Sequence, residues 1–418
     1  MMKNKYSDIQ NTKDNICDSG IDWRDMVFSH PERTIRLGTS FSGIGAIEHA
    51  FQRLGLKCQI MFAGDIDSNC KKSYFANYPI SEEQWHSDIH DFNAKPFKGK
   101  IDLFVGGAPC QAFSLRGKHG GFEDTRGTLF REFARVVIEC QPKVFIFENV
   151  RGMLYHDKGR TWDVIKTTFE EDCGYQVYYQ VLNSKDYGIP QSRDRIYCVG
   201  FKKETNFKYP RPIELTKTKY DLLEDIIEDK YFLNQKGFHF ITESINHKKS
   251  YTHINGDIQL CQKRNQQFNW HGDFVFHPYC DTSIESETFL NKLHQVADAE
   301  ESYYVDETTP LYTIYPDENG CHVMCRNRMR QCDPTKGWFR KLTPRECLRL
   351  MGFDDSFKLV VSDTELYKQA GNSIVVDVLM AILKQMDISQ YGIRLYDSSN
   401  KHNNEMVAEP LFGNLIYE

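Results

Sequence analysis

Cys110 stands in the run Gly106-Gly107-Ala108-Pro109-Cys110-Gln111-Ala112-Phe113-Ser114, directly after the apolar stretch Ile101-Asp102-Leu103-Phe104-Val105. That order predicts a thiol on a stiff turn at the end of a buried strand. Glu148-Asn149-Val150 follows, then Gln191, Arg193 and Arg195 at alternate positions, which places those three on one face of an extended chain. A thiol attacks only as its thiolate, from an unperturbed pKa of about 8.5, so it needs positive charge nearby. Arg116-Gly117-Lys118 and the Arg193/Arg195 pair are the candidate sources. A carboxyl group closing an apolar strand is expected to have a raised pKa and to hold a proton at neutral pH. Thiolate, protonated carboxyl and guanidinium pair together match covalent attack on a cytosine ring followed by methylation. A protonated Glu148 would donate to a ring nitrogen while the thiolate adds to C6. Taken singly, each residue has a plainer reading: a buried small hydrophobe for Cys110, a salt-bridged strand end for Glu148, a solvated edge strand for the arginines.

The elements that must position these groups alternate between strand and helix. Thr34 to Thr39 reads as a strand, Ser42-Gly43-Ile44-Gly45 as a turn, and Ala46 to Leu54 as a helix with Ile47, Ala50, Phe51 and Leu54 on one face. Cys58 to Ala63 is a strand closed by Gly64 and Asp65, and Ser68 to Asn77 a helix stopped by Pro79. Strands at Ile101 to Val105, Val144 to Phe147, Tyr175 to Leu182 and Arg195 to Phe201 are interleaved with helices at Thr128 to Cys140 and Trp162 to Glu171. This alternation predicts an α/β fold with a doubly wound sheet, whose ligands bind beyond the carboxyl ends of the strands. The glycine turn, Asp65, Cys110 and Glu148 all fall on that edge. Asp65 is placed to accept from ribose hydroxyls, and Asp88 could read an adenine amino group. Glu48 stands where a dinucleotide fingerprint wants a third glycine or alanine, and its charge is expected to repel a pyrophosphate. That points to a cofactor without phosphates, S-adenosylmethionine, against the alternative of a plain strand-to-helix turn.

The chain has 418 residues, a formal net charge of −6 and 13 cysteines. Without a secretion signal these read as free thiols, and Cys321, Cys325 and Cys332 fit no standard zinc spacing, so no metal is expected. No apolar run reads as long enough to cross a bilayer, and a cytoplasmic location is expected. The organisation expected is an N-terminal extension over 1–33, a catalytic domain over 34–201 that returns over 337–390, an irregular domain over 202–336 and a tail over 391–418. Thr343 is expected to cap a helix with Pro344 at its first position, and a last helix is expected from Ser373 to about Met386. Arg326, Arg328, Arg330, Lys336, Arg340 and Lys341 form a basic stretch. Within it, Trp338-Phe339-Arg340-Lys341 reads either as a seat on DNA or as a packed hinge.

In order and spacing these stretches resemble the DNA (cytosine-5) methyltransferases of bacterial restriction–modification systems. The resemblance runs from about Arg36 to Phe201 and from about Arg340 to Leu383. It is carried by Phe41-Ser42-Gly43-Ile44-Gly45, Ala108-Pro109-Cys110-Gln111, Gly121 to Phe130, Glu148-Asn149-Val150, Asp186 to Arg195, Arg340 to Glu346 and Gln369-Ala370-Gly371-Asn372-Ser373. The resemblance implies an S-adenosylmethionine-dependent methyltransferase sheet, with a smaller target-recognition domain over the irregular stretch. It implies Cys110 as nucleophile, Glu148 on N3 and the exocyclic amine of the target cytosine, Arg195 on its O2 and Arg193 ordering the catalytic loop. Phe41, Gly43, Gly45, Asp65, Ile66, Asp88, Pro109 and Asn372 would hold S-adenosylmethionine. Ser114, Arg116, Lys118 and Gln191 would contact DNA, Arg116 at a phosphate or in the space left by the flipped base unless Glu123 holds it. Asp65 and Ile66 depart from the Glu and aromatic common in the family. The partner is then double-stranded DNA, acted on by a monomer, with a restriction endonuclease encoded nearby. Competing expectations are a tRNA cytosine methyltransferase with the same residues, a non-catalytic DNA-binding module and a nicotinamide-dependent oxidoreductase.

Overall fold

The computed structural model describes residues 15–17, 20–109, 129–234, 237, 241, 252–254, 256–265, 272–278, 312–317, 320–325 and 337–394. Near-continuous apolar runs, such as those of residues 103–105 and 144–147, build a seven-stranded sheet covered on both faces. Its strands are β1 (Thr34–Ser40), β2 (Lys57–Gly64), β3 (Trp85–His86), β4 (Leu103–Gly106), β5 (Val144–Val150), β6 (Gln176–Asn183) and, after the two-residue β7 (Gln191–Ser192), β8 (Asp194–Phe201). Their order is β3-β2-β1-β4-β5-β8-β6. Val144, Phe145, Ile146 and Phe147 are fully buried, as a strand sandwiched between two helical layers must be. Val144 and Ile146 join one core with α1 (Ala46–Leu54) and α2 (Ser68–Asn77), while Phe145 and Phe147 join the other with α3 (Leu129–Cys140) and α4 (Arg160–Thr167).

β1 to β5 run parallel, but β8 runs antiparallel to both β5 and β6. The cause is the connection: residues 184–193 hold one short turn and the two-residue β7, too little for the crossover that a parallel pair needs. The reversal has a consequence for the site. It brings the start of β8 to the carboxyl end of β5, with Val150 opposite Arg195 and Glu148 opposite Tyr197.

Thr343 caps α5 (Pro344–Arg349) as expected, with Pro344 in its first turn and Glu346 completing the capping box. The helix α6 (Asp363–Asn372) escapes the sequence reading, and α7 (Val376–Gln385) is the last helix it anticipates. The stretch 363–385 is long and apolar enough to cross a bilayer, a point the sequence reading missed. In the fold 83% of its most apolar window is buried, so it serves as core.

The flanking segments are tied to this core. Trp23 is buried in it, Lys384 donates to Arg24 O at 2.6 Å, and Ile393 bridges to Thr34 beside the sheet. Within 202–336 the described chain runs irregularly over 202–234, with short helical turns at Lys219–Leu222 and Asp229–Tyr231, and then holds the short strands β9 (Thr252–Ile254), β10 (Gln259–Leu260), β11 (Gly272–Pro278), β12 (Tyr312–Asp317) and β13 (Gly320–Cys325). β11 pairs with β14 (Gly337–Lys341), which leads into α5.

Of the two readings of Trp338 to Lys341, the packed hinge holds at its centre. Phe339 and Arg340 are buried, and Arg340 donates to both carboxylate oxygens of Glu346 at 2.7 and 2.8 Å. Glu346 also accepts from the backbone of Thr343 at 2.8 Å and of Glu224 at 2.9 Å. Beside it Lys219 pairs with Asp273 at 3.5 Å, both fully buried. A buried ion pair is weak evidence of net stability, yet losing one partner strands the other charge. Glu346→Ala is therefore expected to cost about 3–5 kcal/mol in urea unfolding; a loss below about 1 kcal/mol would mean that the hinge is wet.

Candidate active site

The glycine turn leaves β1 through Phe41, whose φ of 55° is rare for a side chain, and continues through Gly43 at φ 54° and Gly45 at φ 82°. The two glycines answer to different demands. A Cβ at Gly45 would lie 2.2 Å from the Tyr78 ring, so that glycine is needed for packing α1. A Cβ at Gly43 would meet nothing within 4 Å, so its backbone faces open space at the sheet edge. Asp65 ties this turn to the end of β2: one oxygen accepts from Gly43 N–H and the other from Asp67 N–H, both at 2.9 Å. Burial pushes its carboxyl up, against those two hydrogen bonds. A carboxylate has about four acceptor positions, so two remain for a hydroxyl-bearing ligand.

Ile66 follows with 80% of its surface exposed, a large aliphatic face beside the turn with nothing on it. Asp88 accepts from the backbone of His90 at 2.9 Å and its ring at 2.7 Å, which hold its carboxyl below the usual range. Asn372 is exposed at the end of α6, and Pro109 is exposed beyond β4.

The expected role of Glu48 is corrected. It does not face the turn. It is buried, accepts from Tyr74 O–H at 2.5 Å and Thr39 O–H at 3.2 Å, and burial pushes its carboxyl up to about 7. A half-neutral interior group repels nothing outside, so the argument against phosphates loses that support.

At the other half of the edge, Glu148 is 9% exposed and its Oε1 lies 3.2 Å from Arg195 Nε. Burial pushes the Glu148 carboxyl up, while Arg195 and then Arg193 pull against it. A Cβ at Gly107 would lie 2.9 Å from the other carboxylate oxygen, so only glycine lets the β4 turn pass this close. Asn149 Nδ2 donates to Ala108 O at 2.7 Å, clamping that turn to the end of β5. The clamp lies two residues before Cys110. Cys110, Ser114, Arg116 and Lys118 themselves lie outside the described residues.

Arg193 and Gln191 are structural brackets. Arg193 is buried and donates to Gln262 O at 2.6 Å, Ser373 O at 2.9 Å and Gly371 O at 3.1 Å. Two of these carbonyls lie at the C-terminus of α6, where a cation is favoured. Gln191, expected at DNA, is corrected: it has no exposed surface. Its amide donates to Leu350 O at 2.7 Å and its carbonyl accepts from Gln262 N–H at 2.9 Å. Side chains at alternate positions do share a face, as expected, but for Gln191 and Arg193 that face points inward. Gln191→Ala is expected to cost about 1–3 kcal/mol by leaving buried partners unmade. It should leave the salt dependence of DNA binding unchanged, and a shallower salt slope would return Gln191 to the interface.

The site so built carries a half-buried glycine turn with a carboxylate and an aliphatic face at one end, and a buried carboxyl–guanidinium pair at the other. The family description "C-5 cytosine-specific DNA methylase" matches residues 36–387. The chain belongs to that family. It is 35% identical over 364 residues to the Type II methyltransferase M.HpaII of Haemophilus parainfluenzae, covering 85% of this chain and 90% of that relative. It is 30% identical over 433 residues to the orphan methyltransferase M.SPRI of Bacillus phage SPR, covering 84% and 97%. In fold it is similar to the Dnmt2 methyltransferase of S. pombe, with a TM-score of 0.59 at 19% identity over 84% of this chain and 97% of that one.

Two features of this methylase escaped the sequence reading. Asn149 was visible within Glu148-Asn149-Val150, but nothing in its type pointed to the carbonyl it holds. Cys261 and Gln262, which line the arginine pair, sit in an irregular stretch without any pattern to single them out.

Proposed function

We propose that this methylase transfers a methyl group from S-adenosylmethionine to C5 of a cytosine flipped out of a specific duplex DNA sequence. The observation that carries the proposal is the Glu148–Arg195 pair, held against the Gly107 turn that leads to Cys110. A cytosine inside a duplex hides C6, so extrusion is needed, at a cost of a few kcal/mol. The Cys110 thiolate adds to C6, forming a carbon–sulfur bond and passing an electron pair into the ring. In its protonated form, which burial favours and Arg195 and Arg193 oppose, Glu148 donates to N3 and takes up the negative charge that develops there. Arg195 lies beside that carboxyl, where its remaining N–H groups can meet O2. Once C5 carries the methyl group, solvent water takes the C5 proton, the C6–sulfur bond breaks with Cys110 leaving as thiolate, and N3 returns its proton to Glu148, which restores the aromatic ring. S-adenosylmethionine, when bound, supplies the electrophilic methyl group that C5 takes up.

The residues at the cofactor end fit such a donor. Gly43 leaves room for a ligand at the backbone, Asp65 keeps acceptor positions for ribose hydroxyls, and Ile66 offers an uncovered aliphatic face for a flat adenine. Asp88, Asn372, Phe41 and Pro109 border the same edge. Likeness to a Type II methyltransferase, M.HpaII, supports a place in a restriction–modification system, and likeness to the orphan methyltransferase M.SPRI supports the same chemistry outside one. Bisulfite sequencing of DNA from a methylation-free host expressing the chain tests the proposal and reads out the target. Methylated cytosines in one sequence context are expected; label from S-adenosylmethionine that enters tRNA and never DNA would overturn it.

A further inference from the structure

The segment Gln259–Arg264 is wedged between Arg193 and Arg195 on one side and the end of α6 on the other. On one side Gln259 N–H donates to Pro190 O at 2.8 Å, β10 pairs in parallel with β7, and Gln262 O accepts from Arg193. On the other side a Cβ at Gly371 would lie 2.4 Å from the backbone of Lys263 and Arg264. Gln259 and Gln262 are fully buried and hydrogen-bonded to each other at 2.8 Å. The backbone on either side of Cys261 is therefore fixed, and with it the sulfur.

That sulfur lies 3.7 Å from Arg193 Nη1 and 3.9 Å from Arg195 Nη1. Its own proton is directed to Gln262 O at 3.8 Å, so its lone pairs are left for the two guanidinium groups. Two like charges are thus separated by a polarizable acceptor. One of them, Arg195, also donates to Asp194 O at 2.8 Å and touches Glu148 through Nε. The backbone carbonyl and the sulfur grip the same terminal nitrogen and set how Nε meets the carboxylate.

We propose that Cys261 is a positioning residue for methyl transfer: its sulfur fixes the Arg195 guanidinium against Glu148, so that a residue from the stretch between the two catalytic parts helps to set the chemistry. The inference rests on the function proposed above. A carboxyl–guanidinium pair misplaced by a fraction of an ångström loses rate more than binding. Cys261→Ala removes the acceptor without touching the backbone bonds on either side, and Cys261→Ser restores an acceptor at the same position on a shorter bond.

The test measures labelled methyl transfer from S-adenosylmethionine into genomic DNA of a methylation-free host, with kcat and both KM values. Cys261→Ala is expected to lower kcat roughly tenfold with KM values within about twofold, and Cys261→Ser to recover most of the loss. An unchanged kcat in the alanine variant, a loss carried by KM alone, or a loss that serine does not mend overturns the role of Cys261. The unaltered protein run alongside separates the two levels. Label from it together with an unaffected alanine variant defeats this inference only, whereas no label from it defeats the function and the inference together.

Discussion

Cys110→Ala is expected to abolish methyl transfer while leaving S-adenosylmethionine binding within a few-fold of the unaltered protein. Among the described residues Cys140, Cys173 and Cys198 are buried with the thiol pushed up, away from the thiolate form, and Cys261, beside the arginine pair, donates to Gln262 O. Without a nucleophile at C6, C5 of cytosine is not electron-rich enough to take up a methyl group. Loss of the attacking group in a covalent mechanism costs on the order of 10⁴- to 10⁶-fold in kcat. The proposed cofactor end is built mainly from β1, β2 and the end of α6, and the substitution leaves the backbone at Pro109 in place. DNA carrying 5-fluorocytosine, supplied with the methyl donor, checks the same point by another route. The fluorine cannot leave as a proton does, so the unaltered protein should yield a stable covalent adduct and the alanine variant none. Turnover by Cys110→Ala, or an adduct on any other residue, removes Cys110 from the chemistry.

What the sequence disclosed, and what it hid, follows from the range of each interaction. Strands β1, β2 and β5 and helix α1 announce themselves through local apolar periodicity, and the Thr343 cap through three adjacent side chains. The convergence of the glycine turn, Asp65 and Glu148 followed from the rule that parallel strands share a carboxyl edge. Arg195 reaches the same edge for a reason no local pattern carries: β8 runs backwards. The errors concern direction of facing. Gln191 and Glu48 are polar residues at positions that a pattern assigns to a surface, yet each has buried partners far along the chain: Leu350 and Gln262 for one, Tyr74 for the other. A polar side chain buried by distant partners looks like an exposed one until the partners are known. Cys261 is the extreme case, since it sits in a segment of low periodicity and meets Arg193 and Arg195 only in the folded chain.

Glu148→Gln is expected to lower kcat by about 10²–10⁴-fold, and the pH profile identifies why. Gln keeps a donor for N3 but cannot hand over a proton, so shape is preserved while proton transfer is lost. In the unaltered protein the working form of Glu148 is protonated. Burial raises its pKa, with Arg195 and Arg193 opposing, so the rate should fall as pH rises through that raised value. The opposite limb belongs to the Cys110 thiol, which must lose its proton. The glutamine variant should keep the thiol limb and lose the other. Stability gives an independent check of the same shift. A carboxyl whose folded pKa lies above its unfolded value near ~4.3 binds more protons in the folded state through that window, so folding weakens as pH rises across it. The substitution removes this burden, and the stability of Glu148→Gln relative to the unaltered protein should therefore increase from acid to neutral pH. If the variant instead loses ground as pH rises, Glu148 is held ionised by Arg195, and its part in the reaction is that of a charged acceptor and not of a proton donor.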